Sequence, residues 1–510
     1  MGVNNGGRNI HLSHFFKECD LSHTSATAQS GAQSLKRDFS FGSAFAFAFA
    51  FISPIVALYG IYGLAISTAG PSFWWGFLIV FGGQLLVALV FAMLVSRWPL
   101  EGSIYQWTAG LAGRGTAWFA GWIYIWTLII AMATVALGAA GFIANLLGMT
   151  EPSGTDKALI AFVVLVVGTA INLAGRGILK GFMYASIVAE VIGSIGLGIW
   201  LLATSRVQDL SVLFDGGASV GVADGFYSLG GSFLVAMVFI GFSFVGFESA
   251  GSIAEEVREP KKNLPKAVLF SISFIAIVVM FSSLAIILST PTNAADLPGY
   301  DVDPVYAVLT ASLGQGVALP VEALFAIGFI ASFLALQTSA SRMIWALARD
   351  NALPFASSLS KLSKVQRQPV IPILITTVIG TALFLLSNVA TDLYILMVNF
   401  TSGGFYLSFL FPVLAFVIVV FRGKWKPGPF SLGKASGFVA VIALVWIVFE
   451  LLNIAWPRPF WGNPWLDWSV VVGAVGIGIL GVIIYASRRS RILNSESAVE
   501  KLNALDNQDS

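Results

Sequence analysis

From Phe41 onward the chain alternates long apolar runs with short polar connectors. A membrane-crossing helix needs about 20 mostly apolar residues. That length is met at twelve places, centred near residues 54, 84, 131, 166, 193, 242, 279, 332, 379, 408, 445 and 477. Between them stand local breakers: Gly70–Pro71, Arg97–Trp98–Pro99, Glu151–Pro152, Arg258–Glu259–Pro260, Pro291, Pro354 and Pro464. Phe and Ala alternate from Phe45 to Phe51 with the period of a strand, yet length and context predict a helix there, with its rings packed toward lipid. The pattern predicts an all-α membrane protein of twelve transmembrane helices.

Composition sharpens this picture. Apolar residues make up 57% of the chain and charged residues 11%, against about 25% charged in soluble domains. Such a chain cannot cover its own surface in water, so the lipid bilayer is its solvent. A net charge of +2 gives no reason to expect a nucleic-acid partner. The single cysteine, Cys19, excludes an intramolecular disulfide, and the three histidines, His11, His14 and His23, all precede the first span. No metal site or histidine relay is therefore expected inside the membrane, and no cofactor.

Charge position sets orientation. With the N-terminus in the cytoplasm and twelve crossings, only Lys157, Arg206 and Arg458 of the 28 Lys and Arg fall outside. The outer connectors carry Asp209, Asp215, Asp224, Asp296, Asp301 and Asp303 instead. This bias puts both termini in the cytoplasm. The stretches before Phe41 and after Arg491 are polar and read as solvated tails. The first span begins behind a long polar stretch and exceeds twenty residues, so it reads as retained rather than as a cleaved signal.

Two spans carry candidate chemistry. The first contains Ser53-Pro54-Ile55-Val56-Ala57, and the sixth contains Phe242-Ser243-Phe244-Val245-Gly246 followed by Phe247-Glu248. Each sets helix-breaking or small residues near mid-membrane, and they are five spans apart, the spacing expected of an inverted repeat. An interrupted helix exposes amide N–H groups on one half and free carbonyls on the other. A zwitterion needs both, and irregular backbone at that depth is tolerated only where it lines a cavity or is buried in protein. Two intramembrane acids stand out, because a carboxylate at the bilayer centre costs about 2.5–3.5 kcal/mol on insertion scales. Glu248 lies one turn past the Gly246 break, where it can gate or take up a proton. Glu190 lies roughly 15 Å into the fifth span, where coupling or binding of an amine are both open. Glu450, near the outer end of the eleventh span, is expected to reach the interface. After the sixth span, the charged run from Glu255 to Lys266 can pair with Arg97, Arg349 or Lys361 and hold an inner gate shut.

The segment Phe242 to Ala250, with Pro260 to Pro265 behind it, resembles the sixth-helix pattern of the amino acid–polyamine–organocation superfamily of permeases. Pro99, Gly102, Tyr105 and Trp107 look like that family's loop after the second span, and Gly121-Trp122 like its third-span start. Arg342 and the run Ala348 to Pro354 look like its eighth-span exit. The run Pro427 to Gly433 is similar to the amino acid/choline branch. The resemblance covers about residues 38 to 490. It implies the five-plus-five inverted repeat of the leucine transporter with two further C-terminal helices. Residues 1–38 would be a tail, 39–205 the first repeat, 206–422 the second, 423–490 the last two spans and 491–510 a second tail. It also implies that Ser53 to Ala57 offer donors to a substrate carboxylate, that Phe242 to Gly246 face the substrate with Phe242 as an aromatic lid, and that Glu248 is the gating acid. Two departures stand out. Proton-coupled relatives often carry a Lys in mid-fifth-span where Glu190 stands, and relatives commonly show Gly-x-Gly where this chain has Ser53-Pro54.

The expected function is a secondary active transporter in the plasma membrane. It would move amino acids or related amines, such as γ-aminobutyrate, polyamines or choline, by alternating access coupled to H+ or Na+. Exchange of the same compounds is an alternative, and a non-transporting membrane sensor a more distant one. An enzyme is not expected: no nucleophile–histidine pair can form in the membrane, and no phosphate loop is present.

Overall fold

The computed structural model describes residues 1–2, 40–149, 152–216, 227, 231–385, 393–458 and 467–508. Most of the N-terminal tail, with Cys19, His11, His14 and His23, lies outside the described residues, as do Asp224 and Pro464. From Ser40 on, the described residues belong to one compact unit and contain helices and no strand. Each of the twelve expected centres falls in a helix. Among the described residues eleven helices are long and apolar enough to cross a membrane. The ninth expected span is the shorter Val370–Phe384, and residues 386–392 lie outside the described residues.

The first span is two pieces, α1 (Phe41–Ile52) and α2 (Pro54–Tyr59), followed by α3 (Tyr62–Ala69). Span 2 is α4 (Trp74–Arg97), and a short helix α5 (Ser103–Ala112) leads into span 3, α6 (Arg114–Leu146). Span 4 is α7 (Gly154–Ala174). Span 5 runs from α8 (Arg176–Glu190) through a π-helical turn at Val191–Gly196 into α9 (Leu197–Thr204). The sixth span is α10 (Ser232–Gly241), a tight turn at Phe242–Phe244 and a second tight helix at Phe247–Glu256. Span 7 is α11 (Pro260–Ser289) and, after the outer helix α12 (Pro304–Leu313), span 8 is α13 (Gln315–Arg349). The short α14 (Ala356–Leu359) precedes span 9, α15 (Val370–Phe384). Spans 10, 11 and 12 are α16 (Leu393–Phe421), α17 (Ser436–Ala455) and α18 (Ser469–Asn494). A last helix, α19 (Ala498–Gln508), occupies the stretch expected to be a solvated tail.

Helix packing has a simple regularity. Span 1 packs on 7 and span 6 on 2; span 3 packs on 10 and span 8 on 5. Span 3 packs on 4 and span 8 on 9, while 4 meets 8 and 9 meets 3. Spans 2 and 7, and spans 3 and 8, pack on each other. Every contact in this set maps onto another when each span is advanced or set back by five. Five is odd, so corresponding spans run in opposite directions, which is the signature of inverted repeats. Spans 11 and 12 lie outside this correspondence, span 11 against 2 and 10 and span 12 against 3 and 10.

Burial corrects two expectations. The Phe/Ala run of α1 is not turned to lipid: Phe47, Phe49 and Phe51 are buried, and Phe49 and Phe51 meet Phe274 and Phe405. Alternating Ala lets neighbouring helices approach closely, so the rings fill the interior of the bundle. Glu450 does not reach the interface either. It is fully buried on α17, within reach of the Asn453 amide and near Arg458.

Candidate functional site

Ser53 breaks the first span, with φ of 47° and ψ of 114°. Pro54 opens α2 at its first position, where its fixed φ suits a helix and its missing N–H costs no hydrogen bond. The Ser53 hydroxyl caps the new helix, accepting from the Val56 N–H at 3.3 Å. The same hydroxyl donates to one carboxylate oxygen of Glu190, and the Ile55 N–H donates to the other at 2.9 Å. Glu190 is buried and ends α8 where the π-helical turn begins. The fifth-span acid thus closes onto the first-span break, and the Ile55 donor expected for a substrate carboxylate is held by the chain's own Glu190. On the other side of the break, the Phe51 carbonyl accepts from the Ser332 hydroxyl at 2.8 Å. A carbonyl orphaned in the low-dielectric interior costs about 1–3 kcal/mol, so Ser332 stabilises the broken conformation.

The sixth span breaks at Val245 and Gly246. Val245 is extended, and Gly246 has φ of 100°. A Cβ on Gly246 would stand 2.3 Å from the Phe51 ring, so both conformation and space require glycine here. Glu248 turns back on the break, accepting from the Gly246 N–H at 3.0 Å and from the Tyr124 hydroxyl of α6 at 2.8 Å. The two broken spans are joined directly by the Ser243 hydroxyl, which donates to the Ala57 carbonyl.

Between the breaks lies a cavity of about 20 Å³, room for roughly one water. Of the ten residues expected to face a substrate, Val56, Phe242 and Val245 line it. Ile55 instead packs against Gly328, and Phe244 meets Phe77 and Phe81 of α4. Ser53 and Ser243 are tied up in the bonds just described. Sequence reasoning missed the rest of the lining, notably Phe51, Ser332, Thr401 and Phe405. It also missed Tyr124 as the partner of Glu248. The available signal was a small hydroxyl residue in mid-span, but Ser and Thr are common enough in these helices to hide it.

The two ends of the bundle differ. At the end carrying Asp301 and Asp303, a vestibule of about 690 Å³ opens between α3, α6, α12 and α16. Its floor includes Tyr59, stacked on Phe325 at 3.8 Å and donating to the Gly193 carbonyl at 3.1 Å. At the opposite, basic end, charged pairs knit the sixth span to α13. Arg342 Nε donates to Glu256 at 2.7 Å with both side chains buried, and Arg349 Nη1 donates to both oxygens of Glu255, at 2.8 and 3.0 Å. Of the expected partners for the charged run, the Arg349 contact forms, and Arg342 adds a second. Gln106 and Trp118 close the same end by donating to Asp350 and the Ala352 carbonyl.

Comparison with known proteins agrees with this architecture. The sequence pattern of the family described as Amino acid permease matches residues 39–484. The Amino-acid permease BAT1 homolog of Oryza sativa subsp. japonica is 26% identical over 456 residues, covering 84% of this chain and 86% of that protein. The Branched-chain amino acid permease BcaP of Bacillus subtilis is 27% identical over 483 residues, covering 91% and 96%. Amino-acid permease BAT1 of Arabidopsis thaliana is 24% identical over 444 residues, covering 82% and 84%. With its helical membrane bundle, its two facing breaks and this match over nearly the whole chain, the protein belongs to the amino acid permease family, a family of transporters rather than enzymes.

Proposed function

We propose that this permease is a secondary active transporter of small neutral amino acids with apolar side chains, working by alternating access in the plasma membrane. The observation that carries the reading is the cavity between the two breaks. Its side chains are aliphatic or aromatic apart from the Ser332 and Thr401 hydroxyls, and among the described residues no acid lines it. The several ammonium groups of a polyamine need carboxylate partners when buried, whereas an aliphatic side chain needs the lining found here. The name of the Bacillus subtilis relative, a branched-chain amino acid permease, points the same way.

In this reading, residues 39–205 and 206–422 form the two repeats, 423–490 the flanking pair of spans, and the basic end faces the cytoplasm. The five-span correspondence of the packing and the charge bias support that division. The molecule would then be shut toward the cytoplasm and open, as far as Tyr59, toward the outside. A cavity of about 20 Å³ must widen to admit an amino acid, and Val245 and Gly246 are the hinge residues placed to let it. Substrate carboxylate and Glu190 compete for the Ser53 hydroxyl and the Ile55 N–H. Protonated Glu190 is the weaker competitor, which favours H+ over Na+ as the coupling ion. Glu248 holds the sixth-span break through Tyr124, and Phe242 covers the bound solute.

The test is uptake by proteoliposomes of radiolabelled leucine, valine and alanine beside γ-aminobutyrate, a polyamine and choline, under proton and sodium gradients in turn. Aliphatic amino acids driven by an inward proton gradient are expected. Preference for a polyamine or choline would refute the substrate assignment, and uptake driven by sodium alone would refute the coupling.

A further inference from the structure

A third acid stands inside the basic-end cluster and has no part in either ion pair. Glu101 lies in the connector between α4 and α5 and is fully buried. Among the described residues neither of its carboxyl oxygens has a hydrogen-bond partner. Its backbone N–H donates to Glu255 at 3.2 Å, which draws it against that carboxylate. The backbone behind it is constrained: Gly102 has φ of 96° and Ser103 φ of 26°, conformations that hold the connector turned into the bundle.

The charged groups that face Glu101 are Glu255 and Glu256 from the sixth span and Arg342 and Arg349 from α13. Arg342 is bonded to Glu256 and Arg349 to Glu255. Each guanidinium therefore bonds another carboxylate, and although Arg342 Nη2 and Arg349 Nη2 have no hydrogen-bond partner among the described residues, neither is bonded to Glu101. An ionised Glu101 would be a third negative charge beside buried Glu256 and half-buried Glu255, with no donor bonded to its oxygens among the described residues. Burial first, then the Glu256 and Glu255 carboxylates, push its carboxyl well above the usual carboxylate range despite the two arginines.

We propose that Glu101 is a proton-binding site of the closed cytoplasmic gate: its carboxyl is protonated while the Glu255–Arg349 and Glu256–Arg342 pairs are made, and releases that proton to cytoplasmic water when the gate parts. The orientation, though not the substrate, rests on the reading given above. The closed form binds one proton more than the open form. Raising the pH on that side therefore shifts the equilibrium toward opening, by up to about tenfold per pH unit between the two pKa values of Glu101. Glu101 thus couples cytoplasmic pH to the rate at which the inner side opens, separately from any proton carried at the central site.

The experiment uses the full chain in liposomes with substrate absent, so it reads the gate and not transport. Spin labels on Lys262→Cys and Lys364→Cys, in a Cys19→Ser background, report the distance across the basic end. Both lysines are exposed. Between an acid and an alkaline pH that bracket the titration of Glu101 the closed-distance population should fall, at most with the slope given above. Glu101→Gln, permanently neutral, should stay closed throughout, and Glu101→Asp should restore the response. Infrared difference spectra between the two pH values should show a protonated-carboxyl band in the wild type that is missing in Glu101→Gln. An unchanged pH response in Glu101→Gln, a wild type that does not respond, or a response that follows sodium at fixed pH would each overturn the proposal. A failed uptake assay would leave it standing.

Discussion

Gly246→Ala offers a quantitative test of the sixth-span break. At φ of 100° an L-residue pays for its Cβ twice. The left-handed backbone itself costs about 1–2 kcal/mol. The added Cβ would also fall 2.3 Å from two carbons of the Phe51 ring. That ring is buried and packs edge-on against Phe405 at 6.4 Å, so it cannot swing aside without displacing the tenth span. Overpacking of this kind costs about 1–3 kcal/mol. The sum is about 2–5 kcal/mol of destabilisation, with uptake falling in parallel because the break can no longer hold its shape. A double-mutant cycle separates the two parts. Phe51→Ala alone should cost about 3–5 kcal/mol for its own cavity. In that background Gly246→Ala should cost only the backbone part, about 1–2 kcal/mol. Unfolding of the purified protein in mixed detergent micelles, followed by tryptophan fluorescence, gives all four corners of the cycle. Strict additivity would show that Phe51 does not press on Gly246. A Gly246→Ala protein as stable as wild type would show that the helix does not break there.

Glu248→Gln keeps the shape but replaces charge-assisted hydrogen bonds with neutral ones, a loss of about 1.4 kcal/mol; uptake should drop about tenfold with the protein still inserted, and wild-type turnover would remove Glu248 from the mechanism. Glu190→Gln should flatten the pH dependence of uptake while preserving the contacts to Ser53 and Ile55, and an unaltered pH profile would leave Glu190 a structural cap. Asp303, just outside the eighth span, gives a stability test with a definite sign. Burial is the main cause that holds its carboxyl above the ordinary value, against bonds from Tyr306 and Asn145. A raised folded-state pKa contributes stability below the unfolded value near about 3.9 and loses it as pH rises through the folded one. Asp303→Asn, which keeps a capping side chain for α12, should therefore melt like wild type in acid and above it in alkali. Parallel melting curves at every pH would refute this.

Much of the fold was legible in one dimension. The cost of placing a residue in hydrocarbon adds along the chain, so the number, length and order of the spans follow from local hydropathy, and where Lys and Arg fall sets the orientation expected of them. The breaks at Ser53–Pro54 and at Val245–Gly246 were readable too, because proline and glycine limit or free the backbone wherever they stand. Partnerships were not. Ser53 and Glu190 are 137 residues apart in sequence and Tyr124 and Glu248 are 124 apart, and no local pattern states which polar atom of one helix will meet which of another. Only the packed bundle decided that Glu190 occupies the first break, that the Phe/Ala run of α1 is interior rather than lipid-facing, and that Glu101 is shut in beside two carboxylates whose arginines are already bound. The physical reason is the range of the forces involved. Transfer into lipid acts residue by residue, whereas a hydrogen bond or an ion pair exists only within a few ångströms of its partner, and those few ångströms are set by the tertiary structure.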